Sequence, residues 1–432
     1  MKNICVIGLG YVGMTLAVSL ANKGFRVYGI EINPLILESL KDSKAHFFEP
    51  KLNDMIDNNI KLGRFSYHSH YDEVYSCDYF IITIGTPLDN HKKVNLSMIL
   101  KVTDELSRVI NKNSTIILRS TVKIGTTRKI FNQLSASLEF KPKIAFCPER
   151  TIEGDAMNEI LSLPQIIGGI DEDSSDSAHD LFSKLTTTTV IMSTPEAAEM
   201  VKLTDNVTRD IRFAIANEIA LSCDQLKLSA HEIIRAAGRD YPRTKLPLPG
   251  PVGGPCLEKD TYIYNQSFND YTPKIAVDAR SLNESLIDHA LVFITKKIGT
   301  SFGKVTILGM AFKGEPPTND IRGSMSLKLI EKIKGINSLC AIHVYDSLAT
   351  EKEIKFTHSF LNVHKSIPDA TFESNVVFIM NQNYEFQNLD LNKIFLNMAE
   401  KGIVYDFWGQ LIGSSSYNSN YFAFGSHDIH NS

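Results

Sequence analysis

An excess of charge of one sign is missing from this sequence. Its 432 residues carry 45 Lys+Arg against 49 Asp+Glu, a formal net charge of −4. No attraction toward nucleic acid or an anionic membrane is therefore expected. Paired cysteines are missing too. The six, at 5, 77, 147, 223, 256 and 340, form no CxxC pair and show no regular spacing. That excludes a disulfide framework and points to reduced thiols in a cytoplasmic protein. The 12 histidines include no HExxH, and His68-Ser69-His70 lacks partners at metal-ligand spacing, so no metal site is expected. The uncharged run of 18 positions from Ile4 to Ala21 has the look of a leader or a membrane span. It contains Gly8, Gly10 and Gly13, however, and a strand, turn and helix account for it better. No targeting segment is expected. What is there, 43% hydrophobic and 22% charged residues, suits a soluble globular enzyme of two or three domains.

The chain opens as a βαβ unit. Residues 3–9 are a short apolar run, 10–24 read as a helix, and 26–32 read as a second strand. In the GxGxxG spacing Gly8 permits a tight turn, Gly10 lets backbone N–H groups approach a pyrophosphate, and Gly13 allows close helix–strand packing. Tyr11 and Val12 stand between those glycines in the same cofactor turn. The helix N-terminus adds partial positive charge toward phosphates. Glu31 ends the second strand about 20 residues on, where an acid accepts the ribose 2′-hydroxyl. A carboxylate there repels a 2′-phosphate, so NAD is favoured over NADP.

Strand-like runs at 79–84, 115–118, 143–146 and 190–192 alternate with helical stretches, the pattern of a doubly wound sheet. Gly85-Thr86-Pro87 and Ser120-Thr121 then fall at carboxyl ends of strands, where ligands sit in such sheets. Thr194-Pro195-Glu196 is a helix start, with an N-cap hydroxyl, proline at the first position and an acid in the first turn. No proline or glycine interrupts the pattern from there to about Leu226. A helix of some 30 residues is long enough to join two domains and to support a dimer interface. Further helices are expected over 230–237 and 274–298. From about Lys304 the runs 305–312, 340–346, 375–380 and 402–407 predict a second α/β unit without the glycine triplet. The final 20 residues, rich in Ser, Asn and Tyr, read as a tail or loosely packed cover. The expected division is 1–193, 194–300 and 301–432.

Three places could carry chemistry. Lys202 and Asn206 are four apart on the long helix and share a face; the lysine is either solvated or drawn inward. Gly250-Pro-Val-Gly-Gly-Pro-Cys-Leu-Glu-Lys-Asp260 sets Cys256 four residues before Asp260. A helix starting after Pro255 would place that thiol at a helix N-terminus, where the dipole favours the thiolate; a buried filler cysteine is the alternative. Glu149 and Glu153, in Cys147-Pro-Glu-Arg-Thr-Ile-Glu-Gly154, are either a catalytic pair or a solvated turn.

Six ordered motifs carry a resemblance: GLGYVG (8–13), STVKIGTT (120–127), PERTIEG (148–154), EMVKLTDNVTRD (199–210), GPVGGPCLEKD (250–260) and FKGEPPTNDIRGS (312–324). Over residues 3–410 the chain resembles the nucleotide-sugar 6-dehydrogenases, the UDP-glucose/GDP-mannose dehydrogenase family. The resemblance implies an N-terminal Rossmann-type NAD domain, a central helical dimerisation segment and a C-terminal Rossmann-like domain for the nucleotide sugar. It also implies oxidation of a sugar C6 alcohol to a carboxylate with two NAD. Cys256 would add to the aldehyde as a thiohemiacetal and then carry a thioester. Lys202 with Asn206 would stabilise the oxyanion. Asp260 and Thr121 would position a water that takes the C6 hydroxyl proton, and Glu149 would be the base for thioester hydrolysis. Beyond the glycine loop and Glu31, the cofactor would meet Thr86, Ser120, Thr121, Glu153, Lys259 and Arg322. The sugar nucleotide would meet Arg150, Arg209, Arg243, Gly250, Gly253, Gly254, Phe312 and Lys313, besides Glu149, Lys202, Asn206 and Cys256.

Departures from the glucose-type pattern bear on the sugar. Glucose-type members carry an aromatic after the Pro-Glu pair and after the nucleophilic cysteine, where this sequence has Arg150 and Leu257. Pro148-Glu-Arg150, Arg239-Asp-Tyr-Pro-Arg243 and Asp406-Phe-Trp-Gly409 are similar to the acetamido-sugar branch, although Pro255 stands where that branch often has histidine. A UDP-N-acetylhexosamine, N-acetylmannosamine or N-acetylglucosamine, is the expected substrate, with UDP-glucose or GDP-mannose as alternatives. A single-step β-hydroxyacid dehydrogenase needs the lysine but no cysteine, so Cys256 argues against it. A module that binds nucleotides without turnover would not need Lys202, Cys256, Asp260 and Glu149 together. A homodimer is expected.

Overall fold

The computed structural model describes residues 2–71, 74, 77–413 and 419–427. The chain forms two units. The first is Met1–Asn206 with Tyr262–Thr272, and the second is Val207–Thr261 with Pro273–Ser432.

In the first unit the strands are β1 (Asn3–Ile7), β2 (Arg26–Ile30), β3 (Phe65–His68), β4 (Tyr79–Ile82), β5 (Thr115–Leu118), β6 (Lys143–Phe146), β7 (Gln165–Gly169) and β8 (Thr189–Ile191). They join in the order β3-β2-β1-β4-β5-β6-β7-β8. All neighbours run parallel except β6 and β7. Strands buried on both faces need continuous apolar runs, and Ile4, Cys5, Val6, Phe80, Ile81 and Ile82 supply them with no exposure at all. The order reverses between β1 and β4, which leaves a crevice at their carboxyl ends for a ligand. The helix of the opening unit runs Tyr11–Asn22.

The long helix spans Pro195–Leu226, 32 residues and about 48 Å at the helical rise. The Thr194 hydroxyl accepts the Ala197 N–H at 3.2 Å, the cap the sequence announces. Further helices cover Ala230–Gly238 and Lys274–Ile298.

The second unit builds its sheet from β9 (Lys304–Leu308), β10 (Ala341–Tyr345), β11 (Asn362–Val363), β12 (Val376–Ile379), β13 (Ile403–Asp406) and β14 (Tyr421–Ala423). The order is β11-β10-β9-β12-β13-β14, all parallel. This repeats the first six positions of the other sheet. Gly309, at φ +95°, follows β9 as Gly8, at φ +90°, follows β1. Asp346 follows β10 as Glu31 follows β2.

One expectation needs correcting. Residues 421–424 of the final stretch are not a loose cover, because Tyr421–Ala423 pairs with β13 at the sheet edge and Phe422 and Phe424 are buried in the core. The Tyr421 hydroxyl donates to Asp406 at 2.9 Å. Residues 414–418 and 428–432 lie outside the described residues. Among the described residues, no helix is long and apolar enough to cross a membrane.

Candidate active site

The glycine loop has the shape of a dinucleotide turn. A Cβ on Gly13 would lie 1.8 Å from the Gly8 carbonyl oxygen, so only glycine fits there. A Cβ on Gly10 would meet nothing within 4 Å, and this is the side on which a pyrophosphate can approach the helix N-terminus. The Thr83 hydroxyl sits within 2.9 Å of the Ile7 carbonyl and 2.7 Å of the Gly8 carbonyl, fixing the turn. Glu31 accepts the Leu9 N–H at 2.8 Å and the Asn33 N–H at 2.9 Å. Its carboxylate is thereby held at the end of β2, where a ribose hydroxyl is read. These residues fit NAD.

The same loop is tied to the PERTIEG segment. The Tyr11 hydroxyl donates to the buried carboxylate of Glu49, which also accepts the Gly154 N–H at 2.7 Å. Burial, together with that acid, raises Tyr11 well above the ordinary phenol value.

At the carboxyl ends of β4, β5 and β6 the polar loops come together. The Thr86 hydroxyl donates to the Thr121 carbonyl at 2.6 Å, and the Ser120 hydroxyl to the Ile82 carbonyl at 3.3 Å. Glu149 is buried. One of its oxygens accepts Arg119 Nη2 at 2.7 Å and Nε at 3.2 Å; the other accepts the Arg150 and Thr151 N–H groups at 2.7 and 2.9 Å. Burial pushes this carboxyl up, but the Arg119 guanidinium and the two N–H groups overcome it and hold the group below the ordinary carboxylate value. The Arg119 guanidinium also reaches the Cys147 carbonyl at 3.0 Å and the Gln165 side chain at 2.8 Å. On the long helix, Lys202 is half-buried and Asn206 buried, one turn apart. Arg150 pairs with Asp205 of that helix at 2.8 Å.

In the second unit the cysteine loop leads into the helix Gly254–Asn265, which places Cys256 in its first turn and Asp260 one turn later. Cys256 is exposed, and the other five cysteines are buried. The Cys147 thiol, beside the PERTIEG segment, is pushed up to about 12 by burial, which leaves it inert. Asp260 is buried, with the Lys259 ammonium 3.9 Å away.

The loop's backbone is clamped from behind. Gly250 packs where a Cβ would lie 2.6 Å from the Trp408 ring, and Gly253 where a Cβ would lie 2.3 Å from the Gly323 carbonyl. Gly254, at φ +87°, donates to that carbonyl at 2.7 Å. Arg280, 2% exposed, donates to the Val252 and Leu257 carbonyls at 3.1 Å each and to Asp210 at 3.0 Å. Asp210 also accepts the Thr261 hydroxyl at 3.1 Å and the Asn283 amide at 2.8 Å. Burial raises the Asp210 carboxyl above its ordinary value, with Arg280 pulling the other way.

This arrangement was compared with known proteins. The description "UDP-glucose/GDP-mannose dehydrogenase family" matches in three parts: the NAD binding domain over 2–186, the central domain over 196–285 and the UDP binding domain over 306–412. The chain belongs to this family. A UDP-N-acetyl-D-mannosamine dehydrogenase of Methanocaldococcus jannaschii is 31% identical over 405 residues, 93% of this chain and 90% of that one. The UDP-D-ManNAc dehydrogenase structure from Pyrococcus horikoshii superposes with a TM-score of 0.89 at 28% identity, covering 99% of this chain and 100% of that one. A UDP-glucose dehydrogenase from Pyrobaculum islandicum gives 0.84 at 25%, covering 94% of each. The family member described here is an NAD-dependent nucleotide-sugar dehydrogenase, as its six motifs imply.

Other expected site residues of this dehydrogenase are distributed as follows. In the first unit, Val12 lies on the opening helix and Glu153 is half-buried in the PERTIEG segment. In the second, Phe312 and Lys313 are half-buried, with the Lys313 ammonium 5.8 Å from the Phe312 ring centre. The Arg322 guanidinium forks onto Asp320 at 2.6–3.0 Å. Arg209 and Arg243 are exposed, and Arg243 lies over the Tyr241 ring at 4.5 Å. Sequence reasoning missed the residues that hold these in place: Arg119, Glu199, Asp210, Asn217, Arg280 and Asn283. Two of them, Glu199 and Asp210, are the end residues of the EMVKLTDNVTRD motif, which was the available signal.

Proposed function

We propose that this enzyme oxidises the C6 hydroxyl of a UDP-N-acetylhexosamine, with UDP-N-acetylmannosamine first, to the carboxylate. One observation carries the reading: the single exposed cysteine of six sits in the first turn of a helix whose loop is immobilised from behind by a buried network. A helix N-terminus favours the thiolate, and a fixed loop presents it without reorganisation. The relatives named for UDP-N-acetylmannosamine, together with Arg150 and Leu257, support the sugar.

NAD, which the glycine loop and Glu31 would hold, would supply the hydride acceptor, one molecule for each of the two oxidations. Asp260 and Thr121 hold the water that takes the C6 hydroxyl proton, Lys202 with Asn206 stabilises the alkoxide that results, and loss of the C6 hydride leaves the aldehyde. The Cys256 thiolate adds to the aldehyde carbon, forming a C–S bond, and Lys202 again meets the negative oxygen. Loss of a hydride from that anionic adduct leaves a thioester. Glu149, held as an anion by Arg119, takes a proton from the attacking water; the C–S bond breaks, releasing carboxylate and restoring the thiol. The enzyme works as a cytoplasmic homodimer supplying a uronic acid donor for surface polysaccharide.

The test is to mix protein and NAD with UDP-N-acetylmannosamine, UDP-N-acetylglucosamine, UDP-glucose or GDP-mannose, and to count NADH per sugar consumed. Two per sugar with UDP-N-acetylmannosamine ahead is expected. One per sugar would leave Cys256 without its role, and a different preferred sugar would overturn the substrate.

A further inference from the structure

Outside the residues given roles above, the first unit buries another carboxylate. Glu199, 1% exposed, lies on the long helix one turn before Lys202 and two turns before Asn206. It reaches across to the STVKIGTT loop. One oxygen accepts the Gly125 N–H at 2.6 Å; the other accepts the Thr127 N–H at 2.8 Å and the Thr127 hydroxyl at 2.6 Å. These donors form the start of the 12-residue helix Thr126–Ser137, and Gly125 at φ +90° turns the loop into it. Neutral anchors also hold the loop. The Thr86 hydroxyl holds the Thr121 carbonyl at 2.6 Å, and the Ser267 hydroxyl accepts the Ile124 N–H at 3.1 Å. Glu199 contributes a charge in addition, and it does so from the helix that carries Lys202.

We propose that Glu199 is a positioning residue for the oxidation: its carboxylate locks the Thr121 loop to the turn of the long helix that bears Lys202 and Asn206. The inference rests on the roles given above to Thr121 and Lys202. Three donors need an acceptor-only group. A protonated carboxyl is a weaker acceptor than the anion and loses the charge-assisted part of all three bonds, so its hold on the loop slackens. The charged neighbours do not neutralise Glu199. Glu196, one turn earlier, repels it, and the Arg128 guanidinium that faces both is committed to Glu196 at 2.6 and 3.1 Å. From the loop come only neutral donors. Burial pushes Glu199 up to about 7, against the pull of its three hydrogen bonds. Turnover is therefore expected to rise with pH as the lock forms.

The experiment compares the whole enzyme with Glu199→Gln, Thr127→Val and Thr121→Val, reading kcat from about pH 5.5 to about 9, together with Tm and amide exchange at Gly125 and Thr127. Glu199→Gln is expected to lower kcat at alkaline pH by roughly 10- to 100-fold, the scale of a small misplacement. It should flatten the acid limb and speed exchange at both amides, while Tm at alkaline pH stays at or above the parent's. Thr127→Val removes a bond that lowers the Glu199 value, so its acid limb should move to higher pH. Parental kcat and an unchanged limb in Glu199→Gln would overturn the proposal. So would a kcat loss that keeps the limb and tracks a fall in Tm, the mark of a structural role alone. Thr121→Val separates the two readings: if it is slow while Glu199→Gln is normal, only the positioning role falls. If it turns over at the parental rate, the role given to Thr121 falls.

Discussion

Asn217 grips one residue of the cysteine loop by both its backbone polar groups. Its side-chain oxygen accepts the Gly250 N–H at 2.8 Å, and its amide nitrogen donates to the Gly250 carbonyl at 3.1 Å and to Asn283 at 2.8 Å. A helix side chain thus fixes the backbone six residues ahead of Cys256. Replacement by leucine strands a buried N–H and C=O, each costing about 1–3 kcal/mol. Asn217→Leu is expected to lose about 2–6 kcal/mol by that reckoning, read from urea unfolding, with a fall in kcat larger than any change in KM.

Cys256→Ser tests the covalent step. Serine lacks a nucleophile that is ionised near neutrality, so the variant should stall after the first oxidation, making about one NADH per sugar, or become very slow. Acid formation at the parental rate would refute the thioester.

Glu149 is the partner of Arg119 and the proposed base for hydrolysis, and its substitution tests both. Glu149→Gln should let a thioester accumulate on Cys256, visible as a mass adduct in the denatured protein. It also removes the partner of a fully buried guanidinium, and breaking such a pair costs about 3–5 kcal/mol. Because the folded-state value of Glu149 lies below its ordinary one, its contribution to stability is present above the unfolded-state value and lost as pH falls through the folded one. The parent and Glu149→Gln should therefore converge in stability in acid. Absence of an adduct at a pH where the variant is folded would remove Glu149 from the hydrolysis.

Glu199 behaves in the opposite sense. Its folded value is raised to about 7, so the native state holds a proton that the unfolded chain has released. Stability then declines as pH rises from the unfolded-state value to about 7, by up to about 3 kcal/mol. Glu199→Gln should abolish that decline in a pH series of unfolding midpoints. A parental slope in the variant would show that another group is responsible.

The sequence made visible the parts that obey local rules. Apolar runs located β1, β4, β5 and β6, and the Thr194-Pro195 cap located the long helix, because strand burial and capping act over a few residues. β7 was missed because Gln165-Ile-Ile-Gly-Gly169 ends in glycines that argue against a strand. Their reason is tertiary: a Cβ on Gly168 would lie 2.6 Å from the Thr194 carbonyl, and one on Gly169 would lie 2.4 Å from the Ser175 hydroxyl. β14 hid in a polar tail for want of alternation. Of the candidate site, the residues given chemical roles were named from ordered motifs, and the buried groups that hold them were not. Arg119 and Arg280 look like surface cations in the chain and are buried only because Glu149 and Asp210, 30 and 70 residues away, meet them.

The two sheets repeat their strand order, but the acids at the matching place do not repeat their bonding. A carboxylate offers about four acceptor directions. Asp346 spends four: Met310 and Ala311 donate to one oxygen at 2.7 and 2.9 Å, and Leu348 and Ala349 to the other at 2.9 Å each. Glu31, at the matching place after β2, takes two N–H groups among the described residues and keeps two directions for a hydroxyl. The same position is thus a port in one half and a knot in the other. Whatever the second unit uses to read a nucleotide's ribose, it must draw from other side chains than the acid that serves the first.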